Sequence, residues 1–196
     1  MTNVLTQRLT LAEFLAQPNL EASPAWEYVA GHIVQKPIPK FRHSILQKRL
    51  LNAIDDPLGY YLTLPELRCT FGDIAPQGQA QRSIVPDVVV IALERIQLND
   101  LGEPEDSFTQ APDWAIAILS PDQSTNRAID NLLHCLNHGS QLGWLVDPQD
   151  YSVLILNPQQ EIKICRTEQP LPVLPDLNVA LTAQDVFSWL KLTKNG

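Results

Sequence analysis

Two short, almost unbroken apolar runs, Val85-Pro86-Asp87-Val88-Val89-Val90-Ile91-Ala92-Leu93 and Trp114-Ala115-Ile116-Ala117-Ile118-Leu119, most constrain this chain. Alternation would mark a strand with one wet face, whereas a continuous run of this length marks a strand covered on both faces. Both are therefore expected as central strands with helices packed around them. After the second run, Ser120 to Thr125 is a cap-rich turn, residues 126–138 have helical spacing up to Gly139, and Trp144-Leu145-Val146-Asp147-Pro148 returns as a strand. Strand, helix and strand at this spacing form a right-handed crossover.

The flanking segments complete a mixed α/β reading. Thr10 and Glu13 have capping-box spacing for a short helix to about Ala16. Residues 26–35 read as a hairpin turning at Ala30-Gly31, and residues 43–54 as a helix ended by Asp55-Asp56-Pro57. Strands are expected at residues 60–64 and 67–71. A second hairpin spans residues 151–157 and 161–165, and a last helix is capped by Thr182 and Asp185. A chain of 196 residues, 44% of them hydrophobic, can fill the core of one domain spanning residues 1–196. No apolar stretch approaches the ~20 residues that cross a membrane, and the N-terminus lacks the apolar run of a signal peptide. Cys69, Cys135 and Cys165 form neither a zinc motif nor a disulfide framework, so a soluble, cytoplasmic protein with free thiols is expected.

The formal charge of −8 opposes non-specific attraction to a polyphosphate. Against it stands a local run of five positive charges without an acid, Lys36, Lys40, Arg42, Lys48 and Arg49. Lys40, Arg42 and His43 are candidate nucleic-acid contacts at a helix start, where free amides attract anions, and a solvated helix face is the alternative.

Five segments carry a resemblance by their order and spacing: Trp26-Glu27-Tyr28-Val29-Ala30-Gly31, Arg42-His43-Ser44, Val85-Pro86-Asp87-Val88, Ala117-Ile118-Leu119-Ser120-Pro121 and Gly143-Trp144-Leu145-Val146-Asp147-Pro148. From residue 11 to about 156 the chain resembles the bacterial putative restriction endonuclease family of the PD-(D/E)XK superfamily, long catalogued as a domain of unknown function. The resemblance implies a restriction-endonuclease-like mixed central sheet flanked by helices, with an N-terminal and a C-terminal hairpin. It also implies metal-assisted phosphodiester cleavage, in which carboxylates on strand ends hold Mg²⁺ or Mn²⁺ and a lysine orients the attacking water.

Carried over position by position, the first metal acid falls on Asp87 and a peripheral acid on Glu27. The second core acid falls on Ala117 and the lysine on Asn131, while Ala30 and His32 stand where two further acids would be. Residues that act as a unit lose most of their effect when one goes. The expectation is therefore a nuclease-fold protein with a degenerate active site and no cofactor, acting as a binding or interaction module, with nucleic acid and a second copy in a homodimer as candidate partners. The alternative is an active Mg²⁺- or Mn²⁺-dependent endonuclease in which Glu27, Glu66 or Asp113 has taken the place of the lost acid.

Two further groupings are set aside on topology and spacing. Glu161-Ile162-Lys163 is a literal Glu-x-Lys tripeptide, but it lies in the C-terminal hairpin, where alternation makes it a solvent-facing pair. Asp130, His134 and His138 share a helix face without a third fixed metal ligand, and are read as a charge pair of Asp130 with His134 plus a helix-terminal histidine.

Overall fold

The computed structural model describes residues 4–5, 9–56, 59–71 and 81–192. Its strands form two sheets. The larger is six-stranded and contains β4 (Tyr61–Pro65), β7 (Val88–Ala92), β8 (Trp114–Ile118), β9 (Leu142–Asp147), β10 (Ser152–Leu156) and β11 (Ile162–Cys165), in the order β11-β10-β9-β8-β7-β4. Within it β8 and β9 are parallel, joined by α3 (Thr125–Asn137), and the other neighbours are antiparallel. The expected crossover and C-terminal hairpin are thus both present, the hairpin forming the sheet edge.

The second sheet is antiparallel and five-stranded, with β1 (Val4–Leu5), β2 (Trp26–Val29), β3 (His32–Gln35), β5 (Cys69–Phe71) and β6 (Arg82–Ile84) in the order β1-β3-β2-β6-β5. The N-terminal hairpin is the middle of this sheet and not a free appendage. Its turn places Ala30 and Gly31 at φ 52° and 86°, the left-handed pair that matches the twist of the flanking strands.

One expected element is divided. The run from Val85 to Leu93 is not a single strand, because β6 ends at Ile84 in one sheet and β7 begins at Val88 in the other. Pro86 has no N–H to offer a ladder, so pairing stops there and the chain changes sheets. Asp87 sits at the crossing. β6 itself was not among the expected strands, and its polar residues Arg82 and Ser83 are both buried.

Alternation along β7 explains its continuous apolar character. Val88 and Val90 pack with Trp114, Ile116 and Ile118 beneath α2 (Phe41–Ile54) and α4 (Ala183–Ser188), where Leu46, Leu50, Ile54 and Val186 meet them. Val89 and Ile91 face the opposite layer, with Ala115, Leu145, Phe71 and Ile84, against Leu132, Cys135 and Leu136 of α3. Trp114 and Trp144, on neighbouring strands, meet edge-to-face with centroids 4.6 Å apart. The capping boxes of α1 (Leu11–Leu15) at Thr10/Glu13 and of α4 at Thr182/Asp185 both form. The three cysteines are buried and free. Among the described residues no helix is long and apolar enough to cross a membrane.

Candidate functional site

Asp87 is held by every layer around it. Its backbone N–H donates to Ile116 O on β8, and its carbonyl accepts from Glu66 N after β4 and from Gln47 Nε2 on α2. The carboxylate is buried and fully engaged. Oδ2 accepts from Ile118 N at 2.6 Å, while Oδ1 accepts from Lys36 Nζ at 2.7 Å and His43 Nε2 at 3.2 Å. Lys36 follows the last residue of β3, and its ammonium also donates to Val85 O at 2.7 Å. His43, on the first turn of α2, is buried and turns its Nε2 toward this carboxylate.

These contacts set the electrostatics. Burial alone would raise the Asp87 carboxyl, but the Lys36 charge and the His43 hydrogen bond hold it well below the usual carboxylate range. Burial likewise works against the Lys36 ammonium, yet Asp87 and Glu27 outweigh it and the net shift is upward. Glu27, on β2, is pushed up by burial first, with Lys36 and the Val85 amide opposing that rise and Asp87 adding to it. One lysine thus serves two buried carboxyls.

Both oxygens of Glu27 are engaged as well. Its Oε1 accepts from Val85 N at 2.9 Å and its Oε2 from Asn131 Nδ2 at 3.4 Å. Asn131 Oδ1 in turn accepts from Arg82 Nη1 at 2.8 Å, and Arg82 Nη2 pairs with Asp130 at 2.6 Å. Glu27, Lys36, Asp87, Ala117, Gln123 and Asn131 line one small cavity between the sheets and α3. Ala117 is the only partly exposed residue of β8, and its methyl group is all that this strand offers the cavity.

The structure therefore brings together Asp87, Glu27, His43, Ala117 and Asn131, with Glu66 in an adjoining hollow, and holds Lys40, Arg42, Asp113, Asp130 and Glu161 in other contacts. Lys40 is exposed, and Arg42 donates to Pro148 O at 2.5 Å and lies over the Tyr151 ring. Asp113 lies at the opposite end of β8, bound to Arg95, Ala92 N and Gln141. Glu66 is exposed, in a neighbouring hollow that Lys36, His43 and Asp87 also line. Asp130 pairs with Arg82 and not with His134, whose ring packs on Phe71 with centroids 4.7 Å apart. Glu161 is exposed and bonded to Asn157. The residue missed in sequence is Lys36. Its signal was present, a cation at the end of a hairpin strand two positions beyond the buried Ile33 and Val34, but strand alternation alone does not say which layer its long stem enters.

The donor set does not fit a divalent ion. Magnesium-type sites need hard oxygen donors from more than one side chain with free lone pairs. Here the Asp87 oxygens face an ammonium, an imidazole and an amide, the Glu27 oxygens face two N–H donors, and Ala117 supplies none. Among the described residues no group of three or more His, Cys, Asp or Glu is arranged to hold a metal.

Residues 11–185 match the model of the family Uma2, described as "Putative restriction endonuclease". A crystal structure described as "a putative nuclease belonging to DUF820" from Anabaena variabilis ATCC 29413 superposes with a TM-score of 0.85 at 41% identity, covering 93% of this chain and 99% of that one. No curated protein matches.

Proposed function

Because the chain belongs to Uma2, the "Putative restriction endonuclease" family, we propose that it is a nuclease-fold protein without phosphodiesterase activity that acts as a binding or interaction module. One observation carries this reading. Where the cavity needs a second acid it has the Ala117 methyl group, and the acid that remains, Asp87, is neutralised from within by Lys36 at 2.7 Å. A cation bridging a substrate phosphate needs several oxygen ligands, and losing one member of a cooperating set removes most of the effect of the rest.

The family supports nucleic acid as the partner class. Homodimerisation is part of the same proposal, supported by β11, an edge strand that leaves Ile162 and Ile164 half exposed. A cytoplasmic location is supported by three free buried thiols. The alternative, an active endonuclease, is favoured by Glu27, which lines the same cavity as Asp87 and feels its charge.

Incubating purified protein with plasmid DNA and with RNA, in Mg²⁺ and in Mn²⁺, separates the two readings. Neither substrate should be cut. Cleavage that an Asp87→Ala variant abolishes would establish the alternative. Sedimentation velocity tests the dimer.

A further inference from the structure

We infer that the homodimer forms by antiparallel pairing of β11 with β11 of a second copy, in the register that sets Ile162 against Ile162 and Glu161 against Lys163. The inference rests on the homodimer of the proposed function and adds its surface and its register.

Three observations lead to it. First, β11 closes one end of the six-stranded sheet, and among the described residues no strand pairs with its outer side. Asn157 N donates to Glu161 O across the hairpin. Backbone groups of successive strand residues point to opposite sides, so Lys163 and Cys165 also bond β10, while Ile162 and Ile164 turn their N–H and C=O groups to the open side. Second, the edge is poorly guarded. Residues 161–164 are exposed, Ile162 at 45% and Ile164 at 50%, and β11 has neither a proline nor a bulge in its register with β10.

Third, the strand complements itself in charge. Alternation puts Glu161 and Lys163 on one face, opposite in sign and two residues apart. A two-fold axis through Ile162 sets each against the other in the second copy, so two opposite-charge pairs form at once. Glu161 Oε2 accepts from Asn157 Nδ2 at 2.9 Å, and Oε1 is left for the lysine. Moving the axis to Lys163 opposes two lysines. Moving it to Ile164 sets Ile162 against Arg166, which already pairs with Asp150 at 2.6 Å. With the axis at Ile162, that residue donates to and accepts from its counterpart, and the two large sheets join into one. Pairing ends where Gln160, at φ 62°, turns the chain back to β10.

Sedimentation velocity over a concentration series compares wild type, Lys163→Glu, Glu161→Lys and the double variant Glu161→Lys/Lys163→Glu. Each single change turns two attractions into two repulsions and should raise the dimer dissociation constant about tenfold or more, while the double change restores the wild-type value. Mild oxidation of Ile162→Cys and of Ile164→Cys reads the register, since the three native thiols are buried. Paired Ile162 Cα atoms would lie about 5.5 Å apart, within disulfide reach, whereas the two Ile164 positions fall four residues out of step, about 14 Å apart. Ile162→Cys should therefore cross-link and Ile164→Cys should not. Where a charge variant fails to give a folded circular dichroism spectrum, the two cysteine variants decide. The inference is overturned if the single charge changes leave the dimer intact, if the double variant stays dissociated, or if Ile164→Cys cross-links as readily as Ile162→Cys. A wild type that is monomeric throughout would overturn the proposed homodimer itself and this inference with it, a distinct result.

Discussion

Replacing Lys36 with methionine removes the charge and keeps most of the stem volume, so it isolates the ammonium's contribution. Removing one partner of a buried ion pair costs about 3–5 kcal/mol, because the other charge is left without compensation. Asp87 keeps its bonds from Ile118 N at 2.6 Å and His43 Nε2 at 3.2 Å, which places the expected loss near the lower end, about 3 kcal/mol at pH 7. For a chain of 196 residues that corresponds to a melting temperature lowered by about 6–12 °C. The loss has a definite pH dependence. In the wild type the Asp87 pKa is depressed, so its stabilising contribution is present above the unfolded value of about 3.9 and is lost only as pH falls through the lower folded value. Without Lys36 burial dominates, the folded pKa rises, and protonation relieves the variant as the medium is acidified. The gap between wild type and Lys36→Met in urea unfolding should therefore be widest at pH 7 and narrow toward pH 4. Adding Asp87→Asn to Lys36→Met should recover much of the loss. A variant as stable as wild type at pH 7, or a gap unchanged between pH 7 and pH 4, would refute the assignment of Lys36 as the buried counter-charge.

Other outcomes follow from single features. His134, pushed down to about 3 by burial first and then by Arg82 and His138, stays neutral in the fold while the unfolded chain takes up a proton. Wild type should accordingly lose up to about 1.4 kcal/mol per pH unit on acidification below about 6.5, and His134→Phe should flatten that slope in urea titrations from pH 6.5 to 4. Ala30 holds φ 52° in the β2–β3 turn, so Ala30→Asn, a residue that tolerates this region, should raise stability by about 1 kcal/mol in the same assay. Removing the α4 cap with Thr182→Ala breaks the bonds to Asp185 and should cost about 1 kcal/mol by urea unfolding.

Much of the scaffold was legible because it depends on local pattern. The apolar runs of β7 and β8, the crossover through α3 and both capping boxes are written in residue spacing, and each formed. The division at Val85-Pro86-Asp87 was harder to see, since apolar character continues across it and only the absent Pro86 N–H marks the change of sheet. β6 was hidden because Arg82 is a buried cation whose partners, Asp130 and Asn131, lie almost fifty residues away. The same remoteness misled the reading of Asp130 with His134. At the site, Asp87, Ala117 and Glu27 could be placed from the order of segments. Lys36 could not, because its role depends on how the two sheets are set against each other, and so its charge had been counted with the surface run of Lys40, Arg42, Lys48 and Arg49.

That the chain supplies its own positive charge where the sheets meet has a consequence for how this protein senses its surroundings. A bound divalent ion exchanges with the medium, and its occupancy follows supply, competition and chelation. Lys36 belongs to the same chain as the carboxylate it pairs with, so the presence of this counter-charge is set once, at synthesis, and does not follow ion concentration. Chelators and swings in magnesium should leave its melting temperature where it was.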